Sequence, residues 1–227
     1  MTATTWSDRI IELRQYTVHT ELRHQLVDVF DEQFVEGQER DGMHIVGQFV
    51  DLDRSDRFVW LRGFDNMEQR HDALTAFYTG PIWRAHQHRA NPTMVDIDDV
   101  LLLQPAGLWD LPPADYARDP RIVEIALCPL ESPMTGHDIH RLVDAVRAYV
   151  DAPIAVLTTL HAVNTFPSLP VRDGDEHVVV IYARKPSPDP TATPWTHVVE
   201  AIQSVQPALR SPITRRRLLP TTRSALR

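Results

Sequence analysis

The chain reads as α+β: two tandem βαββαβ modules whose sheets face each other as a barrel. Three observations predict this. First, the sequence repeats itself. Arg9-Ile10-Ile11-Glu12-Leu13 returns as Arg121-Ile122-Val123-Glu124-Ile125, and the strand Arg57–Phe64 returns in outline at His177–Arg184, an offset of 112–120 residues. A fixed internal period marks related structural units. Second, each half alternates between the two-residue period of strands and the three-to-four-residue period of amphipathic helices. Third, a four-stranded antiparallel sheet with both helices on one face leaves its other face bare. Two such sheets in one chain can cover each other.

The elements follow in order. Residues 9–18 alternate, with Ile11 and Leu13 on one side and Glu12, Arg14 and Tyr16 on the other. Leu22, Leu26, Val29, Phe30 and Phe34 then repeat at helical spacing, with Thr20 as a candidate N-cap and Gly37 just past the expected end. Met43–Val50 and Arg57–Phe64 read as a hairpin joined by Asp51-Leu52-Asp53-Arg54-Ser55-Asp56. A helix over Met67–Tyr78 is broken by Gly80-Pro81, a shorter helix carries Trp83 and His86, and Val95–Gln104 closes the first module. This order is ferredoxin-like. The modules are placed at residues 1–105 and 121–227, with a Pro- and Asp-rich linker over 106–120. In the second half, Arg121–Leu127, Ile154–His161, His177–Ala183 and Arg216–Pro220 read as strands. Gly136–Val150 and Trp195–Leu209 read as helices, and Lys185–Pro194 as a proline-stiffened loop.

Bulk properties exclude several classes. The 227 residues carry a net charge of −8, which argues against a nucleic-acid partner. Arg215-Arg216-Arg217 is the only basic cluster and reads as a strand start or solvated edge. A single cysteine, Cys128, fits a reducing cytoplasm and reads as a buried small hydrophobe. The N-terminus lacks the basic and apolar regions of a signal peptide, and no apolar stretch approaches a membrane span. No zinc-protease, P-loop, dinucleotide-binding or nucleophile-elbow motif occurs. His137 and His140 are three apart but have no further ligand at a recognised spacing, so no metal and no cofactor is expected.

The residues carrying chemistry sit mainly in the first half. If Ile11 and Leu13 face the helices, Glu12, Arg14 and Tyr16 face the barrel interior: a proton acceptor, an anion clamp and a hydrogen-bond donor. The alternative is an ion pair between Glu12 and Arg14 that holds strands together. Trp60 and Arg62 share a face of the third strand and would add an amphipathic wall for a flat or acidic ligand. Trp83 and His86 share a helical face, and His86 is a candidate general base. Arg14, Arg62, Glu12, Tyr16 and His86 are thus the catalytic candidates, with Trp60, Trp83, Gln48 and Tyr182 as substrate contacts. The second half is less polar: Leu127 and Cys128 stand near the Arg14–Tyr16 stretch, and Val180 and Tyr182 replace Trp60 and Arg62. Glu124, His161 and Tyr182 are its contributions.

Longer motifs carry a resemblance. Ile11–Thr17, Gly42–Phe49, Phe58–Phe64, Phe77–Trp83 with His86, and Asp99–Leu103 resemble the NIPSNAP family, and Leu219–Ser224 resembles the tail of two-module bacterial members. The resemblance implies the dimeric α+β barrel superfamily. That superfamily includes monooxygenases, cyclases, haem proteins and plain binding proteins, so it implies a fold more than a reaction. The expectation is a cofactor-independent cyclase, isomerase or monooxygenase of bacterial, secondary metabolism. Its pocket would lie between the two sheets. A binding or scaffold protein and a haem protein are the alternatives. The barrel would close within one chain or between two copies, a homodimer.

Overall fold

A computed structural model describes residues 8–112, 120–150, 152–184, 194–205 and 208–227. The first module runs β1 (Ile10–Val18), a long helical segment, β2 (His44–Asp51), β3 (Arg57–Phe64), α3 (Met67–Thr79), α4 (Pro81–Ala90), β4 (Met94–Asp96) and β5 (Val100–Trp109). The helical segment has four parts: a 3-10 turn Thr20–Leu22, α1 (Arg23–Val29), a π-helical turn Phe30–Phe34, and α2 (Val35–Arg40). The second module runs β6 (Ile122–Leu130), α5 (Gly136–Tyr149), β7 (Pro153–Thr159), β8 (Glu176–Arg184), α6 (Pro194–Val205) and β9 (Thr214–Pro220).

Eight strands close into one antiparallel barrel within the single chain, in the order β3-β2-β9-β6-β8-β7-β5-β1 and back to β3, with β4 attached to the end of β1. Each module supplies four consecutive staves. Two seams join them: β2 to β9 through Phe49, Val50 and Asp51, and β5 to β7 over Leu103–Trp109. Closure removes the sheet edges on which separate modules would aggregate.

The barrel interior is packed with aliphatic side chains. Ile11, Leu13, Val59, Leu61, Leu101, Leu103, Ile125, Leu157, Val179 and Ile181 belong to one cluster that contains no residue from a helix. An interior of eight strands is just wide enough for side chains to fill it. The expected orientation of β1 is therefore reversed. Ile11 and Leu13 point into the barrel, and Glu12, Arg14 and Tyr16 point outward, under the helices. The pocket is not between the sheets. Tyr16 and Trp60 instead pack with Leu26, Phe30, Phe34 and Phe77 from the overlying helices.

Several boundaries move. Gly37 lies inside the helical segment, which continues to Arg40. A Cβ at Gly37 would sit 3.1 Å from Ile82, so close helix packing explains this glycine. Gly42, at φ 95°, follows the actual helix end, in a conformation glycine favours. His19 takes the N-cap position expected for Thr20, and no side chain caps the turn. The last strand of the first half splits into β4 and β5. The proposed linker begins as strand, because β5 runs to Trp109 and forms a seam. Residues 113–119 of that linker, and 185–193 of the proline-rich loop, lie outside the described residues. Cys128 is buried, and the three arginines begin β9.

Among the described residues no helix is long and apolar enough to cross a membrane.

Candidate functional site

The outer face of the first sheet carries an unusual layer of charge. Glu12 accepts from three guanidinium groups: Arg14 Nη1 at 2.7 Å, Arg62 Nε at 2.8 Å and Arg70 Nε at 2.6 Å. All four side chains are 0% exposed. β1 supplies Glu12 and Arg14, the facing position of β3 supplies Arg62, and α3 supplies Arg70 from above. Burial alone would raise the Glu12 carboxyl. The guanidinium groups of Arg62, Arg14 and Arg70 overcome that and hold it well below the usual carboxylate range. Glu12 therefore stays ionised as a counter-ion, and the role of proton acceptor expected for it does not fit.

The remaining donors of these arginines organise what lies around them. Arg14 Nε donates to the Tyr16 hydroxyl at 2.9 Å, and Arg62 Nη1 to Gln38 Oε1 at 3.2 Å. The Arg62 guanidinium lies 4.9 Å from the Trp60 ring centre, and that of Arg14 lies 5.4 Å from Tyr16 and 5.7 Å from Trp60. Such cation–π contacts offset part of the cost of burying the charges.

Beside this layer, between sheet and helices, lies a cavity of about 420 Å³. Its walls are Tyr16 and Trp60 from the sheet, Phe30, Phe34 and Gln38 from the helical segment, and Phe77, Tyr78 and Trp83 from α3 and α4. The rings meet mostly edge to face, as in Phe30–Trp60 at 4.9 Å and Tyr78–Trp83 at 4.9 Å between centres. Burial raises the Tyr78 phenol, with Arg62 and Arg14 opposing it.

The roof comes from the second module. The β2–β3 connection is short, whereas residues 160–175 between β7 and β8 form a long excursion. It brings Phe166, Ser168 and Leu169 to the cavity. Arg70 Nη1 donates to Asn164 Oδ1 at 3.1 Å and to Thr165 Oγ1 at 3.2 Å, and Thr165 Oγ1 donates to the Met67 carbonyl at 3.1 Å. Arg70 therefore links the buried carboxylate to the roof.

Of the residues named from sequence, Tyr16, Trp60 and Trp83 line the cavity, and Glu12, Arg14 and Arg62 form the charged layer next to it. The others are elsewhere. His86 is half-buried on α4 and does not line the cavity. Gln48 donates to Asp31 at 3.0 Å. Asp31 also accepts from Thr221, Thr222 and the Arg223 amide, so this cluster ties down the segment after β9. Tyr182 donates to Glu124 at 2.6 Å in the second module. His161 pairs with Glu176 at the surface. Sequence reasoning missed Arg70, Gln38, Tyr78 and the roof.

In the second module the matching space between sheet and helices is filled. Glu124 repeats Glu12, and it gathers Tyr182, Arg184 and Arg215. Strand register puts Tyr182 opposite Glu124, as Arg62 stands opposite Glu12. Where the first sheet has Arg14, Tyr16 and Trp60, the second has Ala126, Cys128 and Val180. These small residues pack directly against Leu142, Val146, Val198 and Ile202 of α5 and α6.

Proteins of known structure share this architecture. A candidate monooxygenase from Lactobacillus acidophilus superposes with a TM-score of 0.59 at 12% identity, covering 96% of this chain and 98% of that one. A candidate monooxygenase from Fusobacterium nucleatum gives 0.58 at 8%, covering 96% and 94%. An anthrone oxidase-like protein gives 0.54 at 14%, covering 96% and 94%. At these identities the likeness is one of fold. No curated protein matches the sequence. The NIPSNAP family model matches residues 11–107, which span β1 to β5 and include Glu12, Arg14, Arg62, Arg70 and most of the cavity wall. The first module thus matches the NIPSNAP family model, within a one-chain α+β barrel.

Proposed function

We propose that the chain is a cofactor-independent enzyme acting on a small, flat, enolisable molecule held in the first-module cavity. The observation that carries this reading is the cavity itself: about 420 Å³, walled by aromatic rings, with the phenols of Tyr16 and Tyr78, the indole of Trp60 and the amide of Gln38 beside a buried guanidinium cluster. Its size suits a small organic ligand. Its polar groups suit an oxygen that gains negative charge as a neighbouring carbon loses a proton. Oxygenation is the reaction class that the names of the structural neighbours add. An activated methylene would lose a proton to form the enolate and then react with dioxygen. One oxygen atom stays on that carbon as a carbonyl, and the other leaves with both methylene hydrogens as water.

The residues act by stabilising that anion. Tyr16, oriented by Arg14, is the nearest donor chain, and Tyr78 and Gln38 complete the polar side. Among the described residues the cavity wall offers a haem no histidine or cysteine ligand. Oxygen uptake by the purified protein with anthrone, without added metal or cofactor, tests the reading. Uptake that exceeds the spontaneous rate and falls in Tyr16→Phe supports it. Anthrone that binds without consumption of dioxygen supports the second reading, a binding protein, which the lack of a carboxylate or imidazole among the described residues of the cavity wall favours.

A further inference from the structure

The charged layer is unbalanced. Three guanidinium groups surround one carboxylate, and all are buried. Two positive charges are in excess, and burying an uncompensated charge is costly. Arg14 Nη2, Arg70 Nη2 and the Trp60 indole Nε1 are buried donors without an acceptor among the described residues. Buried donors are ordinarily paired, so each calls for an explanation. The second module sets a contrast. There the same carboxylate meets two arginines and a tyrosine, and both arginines keep some exposure.

Three polar wall residues touch the cluster. Tyr16 accepts from Arg14, Gln38 accepts from Arg62, and Trp60 lies against both guanidinium groups.

We propose that the cavity selects aromatic ligands bearing an anionic oxygen, a carboxylate or a phenolate, whose charge answers the excess of the Arg14–Arg62–Arg70 cluster through Tyr16, Trp60 Nε1 and Gln38. This rests on the first-module cavity being the ligand site and deepens that reading by naming the charge of the ligand. Arg14 is here a positioning residue, acting through Tyr16 and the Trp60 wall.

Calorimetry with 2-naphthoate and its neutral isostere 2-naphthamide tests the charge preference at one pH. The expected result is at least tenfold tighter binding of the naphthoate. In Arg14→Gln the ratio of naphthoate to naphthamide affinity should collapse. A second measurement needs no variant. The wild-type protein is mixed with 4-nitrophenol at a pH where the free probe is mostly protonated, and the visible phenolate band should grow on binding. Growth of that band with no naphthoate preference assigns the site to phenolates, and the reverse assigns it to carboxylates. Equal naphthoate and naphthamide affinity together with no phenolate band overturns the proposal, as does failure of every probe to bind. Anthrone turnover with no charge preference would reject the anion site while leaving the enzymatic reading standing.

Discussion

Arg62 stands directly opposite Glu12 across β1 and β3, and its Nε donates to Glu12 Oε2 over 2.8 Å. The pair is the centre of a four-residue ionic cluster that no solvent reaches. Removing the carboxylate would leave three guanidinium groups buried with no counter-ion. Glu12→Gln is expected to destabilise the fold by about 3–5 kcal/mol, in the range for breaking a buried pair from one side. Urea denaturation at neutral pH measures it.

The same carboxylate sets an acid limit. Its folded-state pKa is depressed from an ordinary value of 4.5, so the unfolded chain binds the proton more readily. The stabilisation from Glu12 is fully present above pH 4.5 and is lost progressively as pH falls below it toward the depressed folded value. A stability–pH profile should decline from there downward. Glu12→Gln, already destabilised, should show a shallower decline over the same range.

Asn164 and Thr165 hold the roof to Arg70. Asn164→Ala removes one acceptor from a buried guanidinium and is expected to cost about 1–3 kcal/mol. Its sharper signature is local: hydrogen exchange should quicken across residues 160–175, and a cavity probe such as 2-naphthoate should dissociate faster, with the barrel strands unchanged.

Trp60 is 1% exposed, lines the cavity and stacks against Arg62. Trp60→Ala is expected to cost about 3–5 kcal/mol, in the range for truncating a buried aromatic ring. Trp83→Ala touches the same cavity from a half-buried position and should cost less. Thermal melts of the two variants give the comparison.

Cys128 is sealed between the second sheet and its helices, and burial pushes its thiol up to about 12. An aromatic disulfide reagent at pH 8 should leave it unmodified in the native protein and titrate one thiol once urea unfolds the chain. Rapid native modification would contradict the packing described.

Much of this was legible before the structure. The repeat, the βαββαβ order and the shared face of Glu12, Arg14 and Tyr16 all follow from local periodicity. Which side of the sheet that face occupies does not. Alternation fixes parity along a strand, whereas the assignment of inside and outside depends on how many strands close the barrel. One signal did point the right way. Ile11, Leu13, Val59 and Leu61 are all aliphatic, while the rings of Tyr16 and Trp60 match the aromatic faces of helices carrying Phe30, Phe34 and Phe77. Arg70 and the roof were invisible for a different reason. Arg70 and Asn164 are 94 residues apart, and such a pairing leaves no periodic trace.

The roof has a consequence for how the molecule can be divided. Each half looks complete in sequence, and the duplication invites cutting the chain between them. A fragment ending before β6 would keep nearly all the rings and every arginine of the cluster, yet it would lose Phe166, Leu169 and both acceptors of Arg70 Nη1, along with its partners at β7 and β9. The cavity is thus a joint property of the two copies. One copy kept the aromatic floor and the other surrendered its own hollow, and between them they make a single vessel that neither can hold alone.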